Sequence, residues 1–342
     1  MLYVERSALQ SHLAQNLIKR NIHFELVDSC QEVPDTKKDM VLKSHIENFC
    51  RACPATSHYR CCNYWTADVM EGCPFDCAYC VLQAYLPHKN IQVNADSERF
   101  ITSLNELIKS GEKRRIGTGE LSDSLALDEL FPFSQIIAPL INAQDILQFE
   151  FKTKSDRIGH LLNLNPKNVI VSWSLNPPEI AERWELGAAN PLKRIAAAKK
   201  CADAGYKVAF HFDPVIYYNG WELGYASLLK TLFDNIKGSS VEYVSISAFR
   251  AASRLLAGIR LRQAAPTFLN EDIILGLDRK YRYFRGIRLK LLGFIYKTIK
   301  KEWENVFLYF CMEHSSFWER FAGFDPISRV GLEERFPHYN AF

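Results

Sequence analysis

The chain has 342 residues, of which 48% are hydrophobic and 24% charged, with a formal net charge of +3. That balance is ordinary for a globular protein and gives enough chain for one large domain or two. The charge is too small to identify a nucleic-acid partner, so the placement of the cations matters more than their sum.

The opening, Met1-Leu-Tyr-Val-Glu-Arg, is strand-like and already charged, with no apolar leader core. No apolar run approaches a membrane span, so a soluble, cytoplasmic protein with no membrane partner is expected. Ten cysteines in such a chain indicate a reducing compartment and metal binding more than a disulfide framework.

Residues 1–60 read as a polar lead-in with its own cysteine group. Cys50, Cys53, Cys61 and Cys62 form C-x2-C-x7-C-C, four thiols within 13 residues, and Cys30 is a further candidate. Such a set can hold a second Fe–S cluster or a zinc ion; the alternative is that some of these thiols are simply buried.

From about residue 61 to 265 short apolar strands alternate with helical patterns, as in parallel βα units. The candidate strands are Tyr64–Met70, Arg115–Leu121, Ile146–Thr153, Val169–Leu175, Val208–Tyr218 and Val241–Phe249. Ser97 opens a helix whose Ile101, Leu104, Leu107 and Ile108 share a face, and Gly111 ends it. Asn190-Pro191 reads as a cap followed by a first-turn proline, with Gly205 as the stop, and 220–236 as another helix. The expected fold is α/β, a partial (βα)6 barrel with its ligands above the C-terminal ends of the strands.

Cys73-Pro-Phe-Asp-Cys77-Ala-Tyr-Cys80 stands at the end of the first strand. A C-x3-C-x2-C loop can bind three irons of a 4Fe–4S cluster and leave the fourth open to a chelating amine and carboxylate. Structural zinc would want a fourth nearby thiol. Tyr79, inside the loop, can shield the cluster from water.

The second strand ends in Gly117-Thr118-Gly119-Glu120-Leu121-Ser122-Asp123, where small residues admit a ligand and Glu120 can accept from an ammonium. The third ends in Lys152-Thr153-Lys154. In the fourth, Ser172 and Ser174 share one side and Trp173 takes the other. In the fifth, His211 and Asp213 interrupt an apolar run and need partners or a ligand; for His211 alone, a satisfied core histidine is the commoner explanation. Cys201 and Cys311 read as core.

After about 265 the rhythm stops, and residues 266–342 form a basic, aromatic extension. There, Arg279, Lys280, Arg282, Arg285 and Arg288 alternate with Tyr281, Tyr283 and Phe284, a pattern that suits phosphates and stacked bases. A solvated cationic strand or hairpin would look the same.

These motifs together resemble the radical S-adenosylmethionine superfamily and, within it, the spore photoproduct lyase family. The resemblance rests on the Cys73–Gln83 loop, Ser122-Asp123, Thr153-Lys154, Ser174-Leu175-Asn176 and Asn219-Gly220-Trp221-Glu222-Leu223-Gly224-Tyr225. It implies that Ser122, Lys154 and Ser174 contact S-adenosyl-L-methionine, with Glu120 beside them. It also implies carbon–carbon lyase chemistry on pyrimidine-dimer damage in DNA. A flavodoxin or ferredoxin would be the electron donor, and the extension would contribute to DNA binding. Two positions depart from the family: Glu120 replaces the hydrogen-donating cysteine, and Val81 replaces the tyrosine that follows the third cluster cysteine, while Tyr79 is kept. The departures leave room for a radical oxidoreductase or tailoring enzyme acting on a small metabolite or modified nucleotide. An iron–sulfur module that binds nucleic acid or carries electrons without catalysis would leave the cofactor-contact set unexplained.

Overall fold

Short β-branched and aromatic runs form the strands. The computed structural model describes residues 1–44, 49–56, 58–261, 267–269 and 272–340 and gathers eight of its strands into one curled sheet. Its centre is Trp65–Ala67, Arg114–Gly117, Leu147–Thr153, Val169–Ser174, Lys207–Val215 and Val241–Ala248, adjacent in that order. All pair in parallel, and they fall on the six runs expected from the sequence.

The sheet is larger than those six. Phe307–Phe310 adds a parallel strand beside Val241–Ala248, reached through the helix Arg285–Glu302. The βα rhythm therefore resumes inside the region read as an extension; the boundary at 265/266 lies outside the described residues. At the other edge Cys50–Ala52 pairs antiparallel with Trp65–Ala67. Backbone hydrogen bonds between Arg60, Met312 and Glu313 join the two edges at an antiparallel bridge, the seam of the half-barrel.

Helices cover the outside. Ser97–Lys109 is capped by Asp96, which accepts from the Arg99 amide at 3.0 Å, one residue before the expected start. Asn190 caps Pro191–Asp203 as expected, and Gly205 leaves it with φ of +94°. Phe149 and Phe151 are fully buried toward the helices. Each such side chain contributes about 1.5–3 kcal/mol. Their neighbours Glu150 and Lys152 point the other way, into the barrel, as strand alternation requires.

The first 43 residues are tied into a second sheet, ordered Glu25–Val27, Leu2–Glu5, Met40–Lys43, Ile91–Asn94, Met70–Glu71. Its last two strands flank the cysteine loop in sequence, so this sheet grips both ends of the segment that carries the thiols.

Candidate active site

The cysteine loop begins at a tight approach. Gly72 has φ of +92°, and a Cβ there would meet the Asn90 carbonyl oxygen at 3.0 Å, so a glycine is needed to turn the chain. Cys77 then pairs with Glu185 in a short antiparallel bridge, and the Ala78 amide donates to the Trp184 carbonyl at 2.7 Å. Gln83 Nε2 closes the loop by donating to the Cys77 carbonyl at 2.5 Å.

All three thiols are free, and Cys73 is within electrostatic reach of Cys77 and Cys80. Burial pushes the Cys73 thiol well up and Cys77 up to about 12, so without a metal both hold their protons. The Phe75 backbone near Cys73 favours its thiolate, against the larger effect of burial. The donor set fits an iron–sulfur cluster: soft, uncrosslinked thiols on one short loop.

Beneath the loop lies a buried ion-pair network. Arg194 and Glu185, both fully buried, meet at 2.5 Å, and Arg194 also donates to the Ser174 carbonyl at 2.8 Å. The Tyr79 hydroxyl donates to Glu185, and Asn176 Nδ2 donates to Glu185 at 3.1 Å and to the Tyr79 oxygen at 3.2 Å. Tyr225 donates to Asn176 Oδ1 at 2.8 Å. Burial raises the Glu185 carboxyl, but Arg194, Lys154 and these hydrogen bonds outweigh it and hold the group below the usual carboxylate range. The Lys154 ammonium lies 5.8 Å from the Tyr79 ring centre. Burial opposes its charge, yet Cys77 and Glu185 raise it above its ordinary value.

Asp123 fixes the neighbouring loop. Its carboxylate accepts from the Leu125 and Ala126 amides at 3.1 and 2.9 Å, from Thr153 Oγ1 at 2.6 Å and from the Lys154 amide at 2.6 Å. It thereby locks the second-strand loop to the tip of the third strand and places Ser122 and Lys154 together. Ser122 and Ser174 are both buried at the mouth, Ser122 against Met70 Sδ at 3.2 Å.

Glu120, in the same loop as Ser122, is within electrostatic reach of Lys152, Cys53 and Asp68. A Cβ on Gly119 would lie 2.6 Å from Lys152 Cβ, which shows how closely that loop rides over the strand tip. Deeper in the barrel His211 pairs with Glu150 at 2.6 Å, so the polar residue in the fifth strand finds an internal partner. Asp213 is held by Arg250 at 2.9 Å.

The lead-in thiols divide. Cys53 is within electrostatic reach of Cys62, whereas the charged neighbours of Cys50 are Asp68 and Glu106. Cys201 is fully buried, as read from the sequence. Cys311 is half-buried and packs against the core at the end of the last parallel strand, with Arg250 and Asp213 within electrostatic reach.

The basic residues also divide. Arg282 is 1% exposed and pairs with Asp278 at 2.6 Å, while its guanidinium covers the Tyr59 ring at 4.1 Å. Arg288 is buried against Glu313. Neither can reach a phosphate, because both hold the C-terminal segments to the barrel. Arg279 and Arg285 are exposed, and Lys280 is half-buried. Tyr281–Tyr283 pairs with Ile273–Leu275 in an antiparallel hairpin whose Leu275 and Leu277 are exposed.

Sequence reasoning missed Glu185 and Arg194. One signal was available: Lys193 and Arg194 sit in the first turn of a helix, where cations oppose the helix dipole, and such a placement calls for a specific acidic partner. Glu185 itself carries no comparable mark.

A family model for spore photoproduct lyase matches residues 56–255. The chain belongs to the spore photoproduct lyase family. A spore photoproduct lyase of Geobacillus sp. (strain Y412MC61) is 29% identical over 183 residues, covering 51% of this chain and 52% of the relative. One from Clostridium acetobutylicum is 25% identical over 230 residues, covering 64% and 65%. The chain thus spans about half to two thirds of the length of these family members. The fold is shared over a longer stretch. A spore photoproduct lyase complexed with dinucleoside spore photoproduct superposes with a TM-score of 0.78 at 22% identity, covering 90% of this chain and 98% of that one. A mutant lyase with bound AdoMet and the same dinucleoside gives 0.77 at the same identity and coverage. The curled half-barrel is therefore the fold of this family.

Proposed function

We propose that the chain is a radical S-adenosylmethionine enzyme that acts as a carbon–carbon lyase on pyrimidine-dimer damage in DNA. The observation that carries this reading is the free Cys73–Cys77–Cys80 loop seated on the Tyr79–Glu185–Arg194 network, with Lys154 beside it. A 4Fe–4S cluster on those thiols, with S-adenosylmethionine bound, supplies a 5′-deoxyadenosyl radical upon one-electron reduction. A flavodoxin- or ferredoxin-type protein is the proposed donor.

The chain's own residues position and shield. Lys154, already held charged, suits the methionine carboxylate, and Ser122 and Ser174 offer hydroxyls at the same mouth. Tyr79, buried and tied to Glu185, keeps water from the cysteine side. Glu120 makes no hydrogen bond among the described residues, which leaves its carboxylate open to the methionine ammonium. Changing Glu120 to glutamine should weaken S-adenosylmethionine binding by about 1.5–3 kcal/mol, the scale of a hydrogen bond to a charged group. Equilibrium binding by calorimetry checks this, and unchanged affinity rejects the role.

DNA would meet the exposed hairpin, through Arg279 and Arg285 for phosphates and the apolar tip for bases. Each phosphate contact contributes about 0.9 to the slope of log affinity against log salt on duplex DNA. The double variant Arg279→Gln/Arg285→Gln should therefore weaken binding and flatten that slope by about two. A parent-like slope would move DNA binding elsewhere.

Glu120 at the family's donor-cysteine position favours a second reading, tailoring of a small nucleotide or metabolite. The two separate on product analysis. Reduced, reconstituted protein is incubated with S-adenosylmethionine and either oligonucleotides carrying spore-type thymine dimers or free modified nucleotides. The lyase reading expects repaired thymines from the oligonucleotide; turnover of free nucleotides alone would replace it.

A further inference from the structure

Cysteines from three segments of the chain, none of them in a disulfide, flank the barrel seam. The Cys53 amide donates to the Tyr64 carbonyl at 2.8 Å, which holds it beside the segment carrying Cys61 and Cys62. Across the seam the Arg60 amide donates to the Glu313 carbonyl at 2.9 Å, and Met312 to Arg60 at 3.1 Å, so Cys61 and Cys62 run alongside Cys311. The Cys311 amide in turn donates to Ile246 at 3.0 Å. Phe310 packs outward on Tyr296 and Trp318, whereas Tyr309 meets Tyr243 inside the barrel. Strand alternation carries Cys311 onto the inner face with Tyr309. Cys62 is within electrostatic reach of both Cys53 and Cys311, and Cys61 of Cys311.

A second observation concerns charge. Arg115 is 1% exposed and donates one Nη to the Cys62 carbonyl at 2.9 Å. Its Nε and other Nη have no hydrogen-bond partner, and no carboxylate pairs with it among the described residues. The rings of Phe336, Tyr243 and Tyr309 surround it. An isolated buried cation is strongly unfavourable unless negative charge lies close by. Iron-bound thiolates at Cys62 would supply that charge. A third observation is local. The Ala55 backbone near Cys53 favours its thiolate, as the Phe75 backbone does at Cys73, and such backbone amides favour metal-bound thiolates.

We propose that Cys53, Cys62 and Cys311, with Cys61 as the fourth thiol in reach, hold a second iron–sulfur cluster at the barrel seam, with Arg115 as its counter-charge. Cys311 takes the place that the sequence pattern gives to Cys50. A zinc ion fits less well. It needs its sulfurs about 2.3 Å from a single point, and no three thiol, imidazole or carboxylate groups gather about one ion position among the described residues. A cube separates its ligand sulfurs by the body of the cluster. The assignment is independent of the lyase reading, because it concerns other cysteines and is tested by metal content.

Full-length protein is reconstituted anaerobically with iron and sulfide, then assayed for both and examined by EPR after dithionite reduction. With two 4Fe–4S centres the parent holds about eight irons, and Cys73→Ala/Cys77→Ala/Cys80→Ala holds about four with a reducible signal. Adding Cys62→Ala/Cys311→Ala to that variant, which leaves two of the four thiols, should remove the remaining iron; adding Cys50→Ala should not. In the otherwise unchanged chain, Cys62→Ala/Cys311→Ala should bring about eight irons down to about four, which keeps the test valid if the triple variant fails to fold. About four irons in the parent, or iron lost with Cys50→Ala and kept with Cys62→Ala/Cys311→Ala, overturns the proposal. So does stoichiometric zinc in the purified protein, or a Cys62–Cys311 disulfide under anaerobic handling.

Discussion

Alanine at Cys73, Cys77 or Cys80 is expected to abolish S-adenosylmethionine cleavage, with nothing above the protein-free background. Each thiol would be one of three protein ligands, and two ligands do not hold a site-differentiated cube. The loop is otherwise fixed by the Cys77–Glu185 bridge and the Gln83 hydrogen bond, so the variants should keep the fold's circular-dichroism spectrum. Cys201→Ala, in the fully buried helix interior, should leave cleavage intact and cost only packing energy. Iron, sulfide and 5′-deoxyadenosine measured on the same samples check the set. Full cleavage by any of the three loop variants would remove the cluster from this loop.

The second large effect concerns the Glu185–Arg194 pair, both of whose side chains are fully buried. Glu185→Ala leaves the guanidinium uncompensated and removes the acceptor of Tyr79 and Asn176. A loss of about 3–5 kcal/mol is expected, a large share of a typical folding stability. Chemical unfolding of the holoprotein measures it. The double variant Glu185→Leu/Arg194→Met should recover much of that loss, since replacing both members with apolar groups removes the stranded charge. The pair also sets an acid limit. Glu185 is held below its ordinary value, so its contribution is complete above the unfolded carboxylate pKa of about 4.3. It is lost as pH falls through the lower folded value. Glu185→Gln should flatten the fall of stability with acid in that window; a parent-like acid profile would place the titration elsewhere.

The centre of the fold was legible because buried parallel strands are continuous apolar runs, as in Val169–Ser174, and because Asn190-Pro191 and Gly205 punctuate a helix. The strand Phe307–Phe310 was hidden by what precedes it. The hairpin and its charges interrupt the βα pattern, and only pairing with Val241–Ala248 shows that the sheet continues. The cysteine loop was legible because three cysteines lie within eight residues. The network beneath it was not, since Tyr79, Asn176, Glu185, Arg194 and Tyr225 come from separate segments and meet only in space. The same reason separates Cys50 from Cys53 and brings Cys311 to the seam. Charge alternation in 279–288 likewise could not show that Arg282 and Arg288 face inward to Asp278 and Glu313.

The most direct test of the central claim follows a hydrogen atom. Oligonucleotide carrying a spore-type thymine dimer, deuterated at its carbon-bound positions, is incubated with reduced, reconstituted protein and unlabelled S-adenosylmethionine. The account predicts deuterium in 5′-deoxyadenosine together with repaired thymines. Unlabelled 5′-deoxyadenosine with the lesion intact would contradict it.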